Sequence, residues 1–331
     1  MAEKEKITPE AETEKAPAEE KKEKKAKKGL PVAALVAIII AGVLVLAAIG
    51  VVAFGLIQDS SATGAYAKGD YKAAYEASQS AFFMSAENKI TIEKAYVTNV
   101  LVKEGKYFAA AELINKSAMS ADEKKALFAS DNNLALCQVG QIVKFAKCDQ
   151  DGKAETAEDL EWIVLKVVKV DGRAYATLLS KEIVGCSDGW NKISGNTLYS
   201  QSNLHDWCNT DFYQKLNIAN DQELIEKIVP IQVKTGNDTV EAYVYAPSKA
   251  EIENALKGEL AQYVATISTK TARSEGAISN AYYVRDPGAV VDKHQQAAGF
   301  DKEGKYISDL IADSGSTGAR VCITVDLGSV A

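Results

Sequence analysis

Five cysteines and two histidines are the residues best equipped for chemistry in this 331-residue chain. A thiolate is a nucleophile or a metal ligand only with the right company. Cys137, Cys148, Cys186, Cys208 and Cys322 are odd in number and include no C-x-x-C, which excludes a zinc ribbon and a thioredoxin-type site. With only His205 and His294, a centre of several histidines is impossible. Cys186 and His294 form a nucleophile–base couple on paper, with no third group indicated. Cys137 and Cys148 bracket one short segment and are the simplest disulfide to draw, the alternative being that both are small buried hydrophobes. Cys208 and Cys322 sit in apolar patterns and read as core. Asp149-Gln150-Asp151-Gly152 opens like a calcium loop but lacks the later ligands, so it reads as an acidic surface loop. No serine-hydrolase elbow, S-x-x-K, H-E-x-x-H or phosphate-cradling Gly loop occurs. The reading therefore assigns no catalytic residue, metal or cofactor. Among the aromatics, Trp190 follows Ser187-Asp188-Gly189 and precedes Asn191. That loop context makes it the first choice for an exposed ligand contact, in the segment Ser187–Ile193, the alternative being that it packs in the core.

The elements that hold these residues begin with a tail. Residues 1–29 are almost entirely Glu, Lys, Ala, Pro and Thr, too polar to offset chain entropy, and read as disordered. Pro31 to Ile57 carries no charge; as a helix it is about 40 Å long, enough to cross a hydrocarbon core of about 30 Å. The span is placed at residues 30–58, with the bilayer as partner of residues 31–57. Lys21–Lys28 crowd its N-terminal flank, so the tail is expected in the cytoplasm and the bulk of the chain outside. The rival is a cleaved signal, for which Ala65-Tyr66-Ala67 is the only A-x-A pattern nearby. The net charge is −7, and the first 30 residues carry nine Lys against eight Glu, so the remainder is near −8. That balance argues against nucleic acid as a partner.

Residues 59–133 read as a helical spacer. Tyr71, Ala74, Tyr75 and Phe82 share one face; Ile92, Ala95, Tyr96 and Val100 share another. Gly69-Asp70-Tyr71-Lys72-Ala73-Ala74-Tyr75-Glu76 is echoed 36 residues later by Gly105 to Glu112. This Gly-x-Tyr-x-x-Ala start resembles tetratricopeptide helices, although two echoes suit a hairpin stalk better than a binding array. Beyond Asp131-Asn132-Asn133 the texture turns to short strands with loops. Gln141–Ala146, Trp162–Val168 and Tyr175–Ser180 read as strands, with a turn at Asp171-Gly172. Leu204, Cys208, Phe212 and Leu216 step by four along a helix with Trp207 beside them. Val240–Tyr245 reads as a strand, Ser248-Lys249-Ala250-Glu251 as a capping box, Asp286-Pro287-Gly288 as a turn, and Arg320–Leu327 as the last strand. Strands and helices mix without βαβ regularity, which gives an α+β class.

Several of these elements, in order, resemble an uncharacterised bacterial family, domain of unknown function 6273, across residues 137–331. They are Glu161-Trp162-Ile163-Val164-Leu165; Leu178-Leu179-Ser180-Lys181; Asn203 to Tyr213 with Trp207 and Asn209; Tyr282-Tyr283-Val284-Arg285-Asp286-Pro287-Gly288; and Gly318-Ala319-Arg320. His205, Cys208, the Tyr282–Tyr283 pair and Val321 depart from its pattern. The resemblance implies a C-type-lectin-like domain, akin to sulfatase-modifying enzymes, in which Trp162, Trp207, Asn209, Arg285 and Arg320 are structural. Those enzymes work through cysteines in the closing part of the fold. Cys322 is the only one there, and its neighbours Val321 and Ile323 look like core.

The expectation is a single-pass membrane protein whose external domain recognises a glycan, peptidoglycan or another protein at the bacterial envelope. An envelope enzyme on the same fold, or a structural component without a small ligand, are the competing classes. Only four of 38 basic residues are Arg, yet Arg285 and Arg320 occupy motif positions. A planar guanidinium makes several directed hydrogen bonds at once, so both are expected to be buried against carboxylates or carbonyls.

Overall fold

A computed structural model describes residues 32–151, 156–191, 198–292 and 294–330. The tail 1–29, Pro31, Gly152 and Ile193 lie outside the described residues. The apolar run forms helix α1, Val32–Ala67, about 54 Å long. Among the described residues it is the one helix long and apolar enough to cross a membrane. It does not stop at Ile57. Its last turns enter the folded body, where Ala62 is buried with Ala74, Ala81, Met84 and Ile92.

Helices α2 (Tyr71–Gln79), α3 (Ala86–Tyr96), α4 (Tyr107–Lys116), α5 (Ala121–Ala129) and α6 (Asn132–Ala135) follow. Both copies of the internal echo open a helix at their Tyr, Tyr71 and Tyr107. Side-chain caps explain three of the starts: Asp70 accepts from the Ala73 amide, Ser85 from Asn88, and Ser120 with Glu123 closes a full capping box; α4 opens after Lys106 without one. Phe82 is a correction. Helix α2 ends at Gln79, so Phe82 lies in the following loop and is exposed instead of sharing the Tyr71 face.

The helices do not stand apart as a stalk. Residues Gly55–Ala331 form one compact unit, with Leu327 packed against both the helical core and the sheet core. Lys169 pairs with Glu112 at 3.0 Å and lies over the Phe108 ring, tying a strand tip to α4.

The C-terminal part contains strands β1 (Ile142–Cys148), β2 (Glu158–Val170) and β3 (Arg173–Ser180). Later come β4 (Ile231–Thr235), β5 (Asp238–Ala242), β6 (Val244–Tyr245), β7 (Tyr282–Val291), β8 (His294–Phe300), β9 (Tyr306–Leu310), β10 (Gly318–Ala319) and β11 (Cys322–Ser329). One antiparallel sheet runs β1-β2-β3-β11-β6; a second runs β10-β7-β8-β9; β4 and β5 pair by themselves. The β2–β3 hairpin turns at Asp171 and Gly172, both with positive φ, the backbone a two-residue turn requires. Helix α7 (Asn203–Trp207) continues through a π-helical turn, Cys208–Phe212, into α8 (Tyr213–Ala219), burying Leu204, Cys208, Phe212 and Leu216. A short α9 (Gln222–Ile225) follows, and the Ser248–Glu251 capping box opens α10, Lys249–Ala255.

Two local readings are corrected. Val240–Tyr245 is two strands, because β5 pairs with β4 and β6 with β11, with Tyr243 between them. Asp286-Pro287-Gly288 lies inside β7. The register slips on both sides of Pro287, a bulge that tolerates a residue without an N–H. A Cβ on Gly288 would meet the Ala297 carbonyl oxygen at 2.2 Å, so only glycine permits that approach.

Candidate functional site

Strand β1 is an edge, and an edge exposes unpaired backbone groups. Its ladder to β2 breaks between Lys144 and Lys147, and Ala146 sits at φ +59°, a left-handed conformation unfavourable for alanine. Three side chains hold this kink. Trp162 Nε1 donates to the Phe145 carbonyl at 2.6 Å. The Asn132 amide donates to the Lys144 carbonyl at 2.7 Å and its oxygen accepts the Lys144 N–H at 3.2 Å. Asn220 does the same at Lys147, with distances of 2.8 and 2.7 Å. Each asparagine thus stands in for a missing strand.

This bent edge floors a cleft of about 780 Å³. Tyr107 and Asn133 form the helical wall, Asn220 to Lys227 the opposite wall, and Arg173 with Asp326 the end. Arg173 holds Asp326 through Nη2 at 2.5 Å and Nε at 3.0 Å. Lys144, Lys147 and Lys227 are exposed around the cleft, as are Asp221, Glu223 and Glu226, and Lys144 pairs with Asp159 at 3.5 Å. Charges of both signs are therefore presented together beside Tyr107, while Asn132 and Asn220 spend their amides on the strand. Such a surface suits a ligand rich in hydroxyl, amide and charged groups.

Trp190, expected as an exposed contact, is fully buried, and its indole donates to the Val284 carbonyl at 2.8 Å. The reason is tertiary: β7 crosses beneath its loop and supplies both an apolar wall and an acceptor. Trp162 and Trp207 are core. Asn209 donates to the Val244 carbonyl at 2.9 Å and accepts from the Tyr243 and Val244 amides, fixing β6. Arg285 is buried between the Ala246 carbonyl, 3.0 Å, and Glu251, 2.5 Å. Arg320 is fully buried; its Nε and Nη2 reach the Ser180 carbonyl at 3.0 and 2.8 Å, and its Nη1 the Tyr263 carbonyl at 2.8 Å. Trp190, Asn209 and Arg285 converge on the β6–β7 region, in the interior. Of the sequence-derived candidates, none lines the cleft. Its residues escaped notice because lysines, carboxylates and asparagines in polar stretches read as ordinary surface. The one available signal was Asp131-Asn132-Asn133, where the texture changes.

All five cysteines are free and buried, so the Cys137–Cys148 bridge is not formed. Burial pushes the Cys186 thiol up to about 11, aided by Glu275 and Asp188, and the thiol donates to the Gly315 carbonyl at 2.9 Å. That protonated, satisfied thiol is not an activated nucleophile. Asp149, Asp151 and Glu158 bring carboxylate oxygens within 4.8 Å of one another. Glu158 accepts the Gln150 N–H, and Asp149 accepts the Asp151 N–H and the Thr271 hydroxyl, so these groups tie the loop to itself and to the segment at Thr271.

The class defined by this geometry is a mixed α+β body continuous with a long apolar N-terminal helix. Residues 175–327 match the family model of a domain of unknown function, DUF6273. The match runs from β3 into β11 and leaves out the Glu161–Leu165 strand on which part of the resemblance rests. No curated protein and no solved structure matches the chain.

Proposed function

We propose that this protein is a membrane-anchored recognition module of the bacterial envelope. Its C-type-lectin-like framework presents the β1-edge cleft to a glycan, a peptidoglycan fragment or a protein segment. The observation that carries this reading is the cleft itself: about 780 Å³, open, and edged by charges of both signs. Polar recognition needs a rigid frame and convergent donors and acceptors. The asparagine-clamped kink at Ala146 supplies rigidity where a bare edge would slip. In this reading α1 spans the bilayer with the N-terminus inside and the folded body outside. The Lys21–Lys28 cluster supports that orientation.

The test uses the full chain in detergent micelles or nanodiscs. Binding of soluble peptidoglycan fragments and of extracted envelope polysaccharide is measured for wild type and for Lys227→Glu and Glu223→Lys. These exposed cleft residues can be reversed in charge without disturbing the core. A loss of tenfold or more in either variant is expected. Equal binding by wild type and both variants removes the cleft from the site. Digestion of residues beyond Ile57 by protease added to intact cells is expected, and full protection reverses the topology.

A further inference from the structure

The loop between α2 and α3 carries two adjacent phenylalanines that the folded body leaves uncovered. Phe82 is 66% exposed and Phe83 51%. Their neighbours Ala81 and Met84 are buried with Ala62 of α1, so the loop is anchored at both ends while the two rings project. The rings do not point at random. A Cβ built on Gly55 would lie 2.8 Å from the Phe83 ring and 3.7 Å from that of Phe82. Gly55 is buried, whereas Leu56 and Ile57 beside it are exposed. Gly55 belongs to the final turn of the apolar run, which ends at Ile57 and is followed by Gln58. The loop is thus folded down alongside α1 to a level within that run, and the absent side chain at Gly55 makes room for it.

An apolar surface continuous with a membrane-spanning segment faces the same solvent as that segment. The uncharged run is about 40 Å long against a hydrocarbon core of about 30 Å, so its outer end reaches the interfacial layer. Aromatic side chains are favoured there, with the ring in the acyl boundary and the backbone near the headgroups. A pair of uncovered rings is otherwise an aggregation liability.

We propose that the Ala81–Met84 loop inserts Phe82 and Phe83 into the outer interface of the bilayer that α1 spans, as a second membrane contact of the body. The inference rests on the membrane-spanning reading of α1. Two contacts restrain tilt where one helix permits it, so the body is seated on the lipid surface and its orientation to the envelope is fixed.

The experiment uses the full chain in phosphatidylcholine nanodiscs, with and without lipid brominated near the top of the acyl chains. Tryptophan emission is compared for wild type, Phe82→Trp, Phe83→Trp and Leu56→Trp. The native Trp162, Trp190 and Trp207 are buried in the body and provide a constant background. The added emission of Phe82→Trp or Phe83→Trp is expected to fall by half or more in brominated lipid, as is that of Leu56→Trp. Quenching of Leu56→Trp with neither loop variant quenched overturns the insertion and leaves the anchor standing. No quenching in any of the three overturns the membrane reading and the insertion with it.

Discussion

Arg285 donates to Glu251 at 2.5 Å, and the same Glu251 oxygen accepts the Ser248 N–H at 2.9 Å to close the capping box of α10. One carboxylate therefore joins a helix start to a buried cation on β7. Asp286 strengthens the junction by accepting the Lys249 N–H at 2.6 Å. Glu251→Ala removes the reciprocal half of the capping box and leaves a buried guanidinium without its carboxylate, a loss of about 3–5 kcal/mol. Glu251→Gln keeps a capping acceptor and is expected to lose less. Urea denaturation of the two variants beside wild type measures the order.

Arg320 is held by carbonyls on three residues, those of Ser180, Lys181 and Tyr263. Lysine cannot reproduce two bonds to a single carbonyl from a planar fork. Arg320→Lys is expected to destabilise by about 3 kcal/mol, a fall in Tm of roughly 6–12 °C for a body of this size. Differential scanning fluorimetry reads it; a Tm within a degree of wild type contradicts the structural role.

Trp190→Ala opens a cavity in the core and leaves the Val284 carbonyl without its donor. A loss of about 3–5 kcal/mol is expected. Where the variant remains folded, its affinity for any ligand of the cleft should match wild type, which an equilibrium binding assay distinguishes from a contact residue.

Burial holds the His205 imidazole below its ordinary value, with Asp206 and Asp238 only partly opposing. The unfolded chain, with an ordinary imidazole near 6.5, takes up the proton first. Stability contributed by neutral His205 is therefore full above about pH 6.5 and falls as the pH drops below it toward the depressed folded value. His205→Gln should flatten the stability–pH slope just below pH 6.5, measured by urea midpoints across that interval. An unchanged slope rejects the assignment.

The thiols distinguish the folded from the unfolded chain. Burial pushes Cys137 up to about 12 and Cys148 up to about 11, and raises Cys208 and Cys322 as well. Native protein at pH 7.5 is expected to react with maleimide far more slowly than protein in guanidinium, where all five thiols should label. Fewer than five in unfolded, unreduced protein would reveal a disulfide.

Residue pattern alone was enough for the elements whose cause is local. The uncharged run from Pro31 dictates a long helix, and the step of four from Leu204 to Leu216 dictates a buried helical stripe. Asp171-Gly172 specifies a hairpin, and Ser248 with Glu251 a helix start, because each signal lies within a few residues. Arg285 and Arg320 stood out because arginine is rare here. What they bind was legible only in outline, since Ser180 and Tyr263 are 140 and 57 residues from Arg320. The tertiary structure decided the rest. Trp190 looks like a loop aromatic until β7 passes under it, and Asp286-Pro287-Gly288 looks like a turn until β8 pairs across it. The cleft is the clearest case: Asn132, Asn220, Arg173 and Asp326 come from four separate segments and meet only once the helices close against the sheet. Burial and edge capping are set by long-range pairing, and no single stretch of sequence contains both partners.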